Sequence, residues 1–452
     1  MALSKSPYRG TRDFFPKEMR LRNYIFQKMA QVSETFAYEP YDGPLLEEVE
    51  LYLAKSGEEL ITDQIYSFID RGDRKVAIRP EMTPTVARMV AQIHREVAKP
   101  LRWYAIPNLM RYEKPQKGRL REFWQYNADI FGAAEYGEVE IIQLAVSIMK
   151  SFGATQDHFE ILLNDRRLVD FVFVKLISLE SEANKKLYKL VDRKNKMDPA
   201  KFSAEVRLIT TEERQAQIFE EYVSITTVKE LEGFVKKHLN LAEKIDFLLD
   251  EPASAHHEAI SLSIKPLFDL FKRLEHLGLS SFVKFDPSIV RGLDYYTGVV
   301  FEIFDKHPEN RRAIAGGGAY ANLLQIFNEL PLGGVGFGMG EVPLKDFLEA
   351  HKLMPDFTKP DFDVLVAYTH LSSEPSGFQI ADALRSLGLK TEVIFGESKP
   401  KKVYGQTEKK NYHTVILLNE NEVQVKHLKS QVSTSYQLNE AFKIAHEVKG
   451  QL

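Results

Sequence analysis

Cysteine is absent from all 452 residues. That rules out disulfides, thiolate nucleophiles and cysteine-held zinc, and it suits a reducing compartment. No apolar run approaches the ~20 residues that a membrane-spanning helix needs, so an integral membrane protein of that kind is excluded. Neither sign of charge dominates. The 60 Lys and Arg residues against 64 Asp and Glu leave −4 at pH 7. Any contact with nucleic acid must therefore rest on positive charge gathered locally. The first 28 residues are charged throughout and lack the apolar stretch of a signal peptide, so the expected location is cytoplasmic. Phosphate loops of the G-x-x-x-x-G-K-[ST] type and the metal-binding H-E-x-x-H pattern are both missing. His256 and His257 sit in a helical stretch with no partner at metal-binding spacing, and they read as structural. No repeat or low-complexity tract interrupts the chain.

What is present is the balance of an ordinary globular protein, 44% apolar and 27% charged, with length enough for roughly three domains. Residues 17–32 carry apolar Met19, Tyr24, Ile25, Met29 and Val32 at steps that make one face of a helix. Short apolar runs at 76–78, 103–106 and 123–130 predict strands. Residues 165–275 are rich in Lys, Glu and Leu and poor in glycine; helical spacing recurs at 180–190, 212–222, 228–238 and 256–276. Strand and glycine signals return at 290–304 and 314–340. A proline-bearing stretch, 354–360, then reads as a linker. Beyond it, strand runs at 362–367, 390–394 and 415–418 with a helix at 378–387 predict a small α/β domain of about 90 residues.

The densest chemical signal is Arg111-Tyr112-Glu113-Lys114-Pro115-Gln116-Lys117-Gly118-Arg119-Leu120-Arg121-Glu122-Phe123-Trp124-Gln125. Pro115 and Gly118 force a loop, and the flanking strands make it a β-hairpin whose long loop is basic. A solvated charged loop is one reading. A site for a polyanion is the other, and it is favoured because Phe123 and Gln125 follow on the returning strand. Arginine suits such a site, since its planar fork grips phosphate oxygens in pairs and stays charged. Arg79-Pro80-Glu81-Met82-Thr83-Pro84-Thr85 sets a carboxylate and a hydroxyl two residues apart, on one side if the chain is extended. Alternatively, Thr83 or Thr85 caps a helix. Arg291-Gly292-Leu293-Asp294-Tyr295-Tyr296-Thr297-Gly298 packs a cation, an acid and two phenols ahead of a strand. In a strand the two tyrosines point to opposite faces, so at most one enters a given pocket. Gly334, Gly336, Gly338 and Gly340, at alternate positions, suggest a strand against which something packs closely.

In this order the segments resemble the class II aminoacyl-tRNA synthetases, and within them the histidyl-tRNA synthetases. Gly10 to Pro16 is similar to the family's opening. Gly43-Pro44 to Glu50 resembles motif 1, whose proline lies at the dimer interface. Arg111 to Gln125 matches motif 2, and Arg291 to Gly298 resembles the histidine-specific signature. The resemblance implies an α+β fold: a class II antiparallel sheet flanked by helices, with a mostly helical insertion and a C-terminal α/β anticodon-binding domain. The implied boundaries are catalytic core at 1–163 and 276–352, insertion at 164–275, linker at 353–360 and anticodon-binding domain at 361–452.

It also implies histidine–tRNA ligase activity, with L-histidine, ATP carrying Mg2+, and tRNA(His) as partners, in a homodimer with no tightly bound metal. Arg111 and Arg291 would hold the α-phosphate and the histidine carboxylate. Glu113 and Arg119 would hold the rest of ATP, with Phe123 stacked on adenine. Glu81, Met82, Thr83 and Gln125 would surround the α-ammonium group. Asp129, with Tyr295 and Tyr296, would read the imidazole. Two places depart from the family pattern. Ala319 and Ala321 stand where a charged pair is usual, and Pro343 stands where motif 3 normally ends in an ATP-facing arginine. Either ATP is held differently here or activity is reduced.

The competing readings are the synthetase-like regulatory subunit of ATP phosphoribosyltransferase, which lacks the tRNA-reading domain, and a tRNA-binding module with an inactive site. Residues 361–452 and the insertion argue against the first. Lys399, Lys401, Lys402, Lys409 and Lys410 form either an RNA-contacting strip or, with Glu397 and Glu408, a solvated edge.

Overall fold

The computed structural model describes residues 3–53, 63–133, 136–191, 193–194, 197–239, 261–290, 295–310, 312–356 and 362–452. They divide into two compact units, Met1–Met354 and Pro355–Leu452.

In the first unit, β1 (Glu39–Pro40) is followed by the strands of a small sheet, β2 (Leu46–Glu48), β3 (Tyr66–Ile69) and β4 (Lys75–Ile78). Then come β5 (Leu101–Ala105), β6 (Asn108–Met110), β7 (Glu122–Phe131) and β8 (Phe159–Asp165). After the helical region follow β9 (Val283–Phe285), β10 (Val299–Asp305), β11 (Ala313–Tyr320) and β12 (Gly334–Gly340). The main sheet has the order β1-β5-β7-β12-β11-β10-β8-β9, with β6 paired to β7. Its centre is antiparallel, as expected, but β1 joins β5 and β9 joins β8 in parallel, so the sheet is mixed at both edges. Parallel neighbours need a long crossover, and the chain between β8 and β9 supplies one in helices.

One face of the sheet is sealed by helices. The helix Pro16–Thr35 opens with a proline, which lacks the N–H that a first turn leaves unpaired anyway, and it buries Ile25, Met29 and Ser33 at four-residue steps. It packs against the helix Tyr136–Ser151, which covers the odd-numbered side chains of β12, Val335, Phe337 and Met339, and all join one core. The other face of β12 is glycine at every second position.

The helices Ser181–Val191, Glu213–Ser224 and Val228–Leu239 lie where their periodicity places them, Lys265–His276 covers the second half of the stretch expected at 256–276, and Pro199–Ile209 is a further helix that was not expected. Asp198 accepts from the amides of Ala200 and Lys201 ahead of Pro199, and Glu212 with Gln215 forms a capping box. Their apolar faces join the core beneath the sheet. His256 and His257 lie outside the described residues.

The second unit is a five-stranded sheet built from β13 (Phe362–Tyr368), β14 (Thr391–Val393), β15 (Tyr412–Leu418), β16 (Val423–His427) and β17 (Ser433–Tyr436), in the order β14-β13-β15-β16-β17. β13 is buried on both faces, with Val364, Val366 and Tyr368 in one apolar cluster and Leu365 and Ala367 in another. The helix expected at 378–387 begins earlier, at Glu374, and ends at Ser386. β16 and β17 give no periodic signal, because only Val423 and Val425 of their nine residues are buried. The helices Pro400–Thr407 and Ala441–Gly450 complete the unit.

Candidate active site

The hairpin read from the sequence is present: Asn108 faces Trp124 and Met110 faces Glu122, leaving 111–121 as the loop. Its neck closes where the Arg111 amide donates to the Arg121 carbonyl at 2.8 Å. Its tip turns at Gly118, whose φ of +74° favours glycine. The loop's cations divide by task. Arg121 lies 4.1 Å over the Tyr112 ring and donates to the Tyr8 hydroxyl and the Glu113 carbonyl, so it braces the N-terminal arm. A Cβ at Gly10 would meet its Cγ at 2.7 Å. Arg119 pairs with the Glu113 carboxylate at 2.9 Å. Arg111 donates through Nε to the Pro80 carbonyl at 2.9 Å, and its guanidinium carbon is 5.4 Å from the centre of the Phe123 ring.

Arg111, Glu113, Arg119, Phe123 and Gln125 all line one open cavity of about 950 Å³, whose other walls come from β10, β11 and β12. Within it Glu341 is ion-paired to Arg12.

Gln125, Asn127 and Asp129 share one face of β7, and they run from this cavity into the interior. There the alternate glycines of β12 act. Gly338 lies opposite Asn127 and Gly336 opposite Asp129. A Cβ at Gly336 would stand 2.2 Å from Asp129 Oδ1, and one at Gly338 would stand 2.8 Å from the Gln125 amide. Close packing against that strand was expected, and the side chains lying over it are two of the residues singled out. Asp129 is 3% exposed, and its Oδ1 accepts from the Tyr320 hydroxyl at 2.5 Å. Burial raises its pKa to about 7, against the smaller, opposing pull of that hydrogen bond.

Three tyrosine rings close this end. Tyr295 and Tyr296 meet edge to face at 4.9 Å, and Tyr320 lies 5.9 Å from one and 6.5 Å from the other. The Tyr295 hydroxyl donates to Glu81 Oε2 at 3.1 Å and lies near the Thr83 side chain. Met82 is fully buried beside them in sequence. Burial, and then the charge of Glu81, push both phenols well above their ordinary pKa.

Two expectations need correcting. Tyr295 and Tyr296 do not point to opposite faces: the strand begins only at Val299, so strand alternation does not govern them, and both reach the same cluster. Nor is 79–85 extended, and neither threonine caps. The helix Thr83–Ile93 starts at Thr83 with no side-chain cap, and the Thr85 hydroxyl donates to Glu47. Glu81 and Thr83 meet anyway, because both reach Tyr295. Arg79 is buried and structural, donating to Asp42, Gly43 and Asn108. Arg291 lies outside the described residues, as do Gly292, Leu293 and Asp294.

Sequence reasoning missed three participants. Tyr320, between the two alanines, is the donor to Asp129; its place in the glycine-rich segment was the available signal. Tyr41 has a buried hydroxyl with no hydrogen-bond partner among the described residues, and its pKa is raised by burial first and then by the Asp129 charge. Arg312, just before β11, lines the open cavity.

A family model described as histidyl-tRNA synthetase matches residues 10–341. The chain belongs to the histidyl-tRNA synthetase family. It is thus an aminoacyl-tRNA ligase, and its mixed α+β architecture is the one seen in solved members. The histidine–tRNA ligase of Leptospira biflexa is 42% identical over 93% of this chain and 91% of its own length. The crystal structure of the histidyl-tRNA synthetase from Nostoc sp. PCC 7120 superposes with a TM-score of 0.79 at 21% identity, covering all of both chains. A Bacillus halodurans structure titled as an ATP phosphoribosyltransferase regulatory subunit/histidyl-tRNA synthetase superposes with a TM-score of 0.74 at 20% identity, covering 93% of this chain and 99% of that one. Fold alone therefore does not separate synthetases from regulatory relatives. Sequence does, and the regulatory reading is not favoured.

Proposed function

We propose that the chain joins L-histidine to tRNA(His) in two steps, using ATP with its Mg2+ as a substrate. The observation that carries this reading is one strand face, β7, running from an arginine-lined cavity to a buried acid. In the first step a carboxylate oxygen of histidine attacks the α-phosphorus of ATP. The bond to the bridging oxygen breaks, and pyrophosphate leaves. In the second, a hydroxyl at the 3′ end of the tRNA attacks the activated carbonyl, and AMP leaves. Neither step needs a protein nucleophile; both need alignment and cancellation of charge.

Arg111 and Arg291 hold the α-phosphate and the histidine carboxylate. Glu113 and Arg119 hold the rest of ATP, and Phe123 stacks on adenine. Glu81, Thr83 and Gln125, with Met82 packed beneath, surround the α-ammonium group. Asp129 takes the imidazole N–H, with Tyr295 and Tyr296 as walls. A buried acceptor rejects side chains lacking that donor more strongly than an apolar slot would.

Residues 164–275 serve as the insertion and 361–452 as the anticodon-reading domain. There, Phe378 and the 80%-exposed Phe395 stand nearly parallel at 6.3 Å, with exposed Lys399, Lys401 and Lys402 nearby in sequence. That combination suits unpaired bases and their phosphates. Leu45, Leu46, Leu53, Phe68 and Ile69 are exposed around the small sheet beside Pro44, and they support a homodimer formed there. No described helix is long and apolar enough to cross a membrane; the location we propose is the cytoplasm.

Pyrophosphate exchange tests the reading. Label from pyrophosphate should enter ATP only when histidine is present. No exchange, with tRNA binding retained, would replace the enzyme by a binding module.

A further inference from the structure

Resting on the ATP site proposed above, we infer that Arg312 holds the β- and γ-phosphates of ATP and so assists departure of pyrophosphate. Arg312 ends the β10–β11 connection and reaches the open cavity together with an adjoining cleft of about 250 Å³, one wall of which is Gln116, Lys117 and Gly118 and the other of which carries Asp305, Glu309 and Asp346. Its connection is pinned rather than loose. The Asp305 carboxylate, 9% exposed, accepts from the His307 amide at 2.7 Å, from Asn310 Nδ2 at 2.7 Å and from His351 Nε2 at 2.6 Å. The side chain is guided as well. A Cβ at Gly118 would stand 3.2 Å from Arg312 Cδ, so the glycine of the basic loop leaves room for it to pass.

Arg119 repels the Arg312 guanidinium and Glu113 attracts it, but Glu113 is already paired with Arg119. No hydrogen bond or ion pair among the described residues holds the Arg312 guanidinium. Of the three carboxylates on the wall of the open cavity, Glu113 is paired with Arg119 and Glu341 with Arg12, so Arg111 and Arg312 face the cavity with Glu302, and an anion relieves the repulsion between Arg312 and Arg119. The anion that fits is polyphosphate, which arginine grips through paired N–H groups. On the same wall Pro343 offers a ring with no charge. Arg312 supplies from just before β11 the cation that the start of the helix after β12 lacks.

The test uses the full chain with Arg312→Ala and Arg312→Lys. Binding of ATP and of AMP is measured by calorimetry, alongside histidine-dependent pyrophosphate exchange. In Arg312→Ala, ATP binding should weaken ~10-fold or more, with a matching rise in the ATP KM. AMP binding, the histidine KM and the melting temperature should stay as in the unaltered protein, and Arg312→Lys should recover part of the loss. Unchanged ATP binding, or equal loss of ATP and AMP, would overturn the inference. Should Arg312→Ala fail to fold, Arg312→Lys decides by the same ATP-to-AMP comparison. Absence of exchange in the unaltered protein would instead strike the ligase reading, while the calorimetric comparison still judges Arg312.

Discussion

The two ends of the cleft are built on opposite physical plans. At the end assigned to phosphates, the Arg119 side chain is 48% exposed and the cavity is open. At the end assigned to histidine, Asp129 and Glu81 are each 3% exposed beside three tyrosine rings. Exposed charges are screened, so several arginines must converge there, and each counts most where charge develops in the transition state. A buried acceptor is expensive to leave unpaired, so a single residue discriminates strongly there. Strength comes from number at one end and from burial at the other.

The largest expected effect breaks the phosphate end. Arg291→Ala should lower adenylate formation at least ~100-fold with folding retained, because it removes charge stabilisation made in the transition state. A near-normal exchange rate with an unchanged melting curve would remove Arg291 from the site. Next, Asp129→Ala should raise the histidine KM far more than the ATP KM, by ~10-fold or more, the loss of one charged hydrogen bond. Equal changes in both constants would show that Asp129 does not read the side chain.

Gly336→Ala sharpens the contrast without touching charge. Its methyl would collide with Asp129, so a loss of ~1–3 kcal/mol in stability and a selective rise in the histidine KM are expected. Gly333→Ala, where a Cβ meets nothing within 4 Å, is the control. If both variants melt alike, the packing argument for β12 fails.

The last test is in pH. Burial raises Asp129 from 3.8 to about 7, so the folded protein binds its proton more tightly than the unfolded chain does. Stability from this group is therefore present at low pH, falls as pH rises through that interval and levels off above about 7. Histidine binding runs the other way, strengthening as the acceptor ionises. Asp129→Asn should flatten the difference on both counts, and an unaltered histidine-binding profile between pH 6 and 8 would show that another group sets it.

Much of this was legible along the chain. The basic hairpin, the helices after β8 and the alternate glycines all depend on local periodicity or on backbone demands made within a few residues. The orientation of Tyr295 and Tyr296 was not, because strand alternation applies only once a strand has begun, and where β10 begins is settled by its pairing with β8 and β11. The role of Thr83 was hidden for a similar reason: its partner is a phenol more than two hundred residues away.

Residue types, their order and their short spacings were enough to name the family, the loop that carries cations and the acid that stands apart from it. Assembly alone determined that Tyr320 bonds Asp129, that Arg121 braces the N-terminal arm while Arg119 faces the cleft, and that Arg312 arrives beside Gly118. These are contacts between distant stretches of chain, set by sheet order and burial, and no pattern within one segment encodes them.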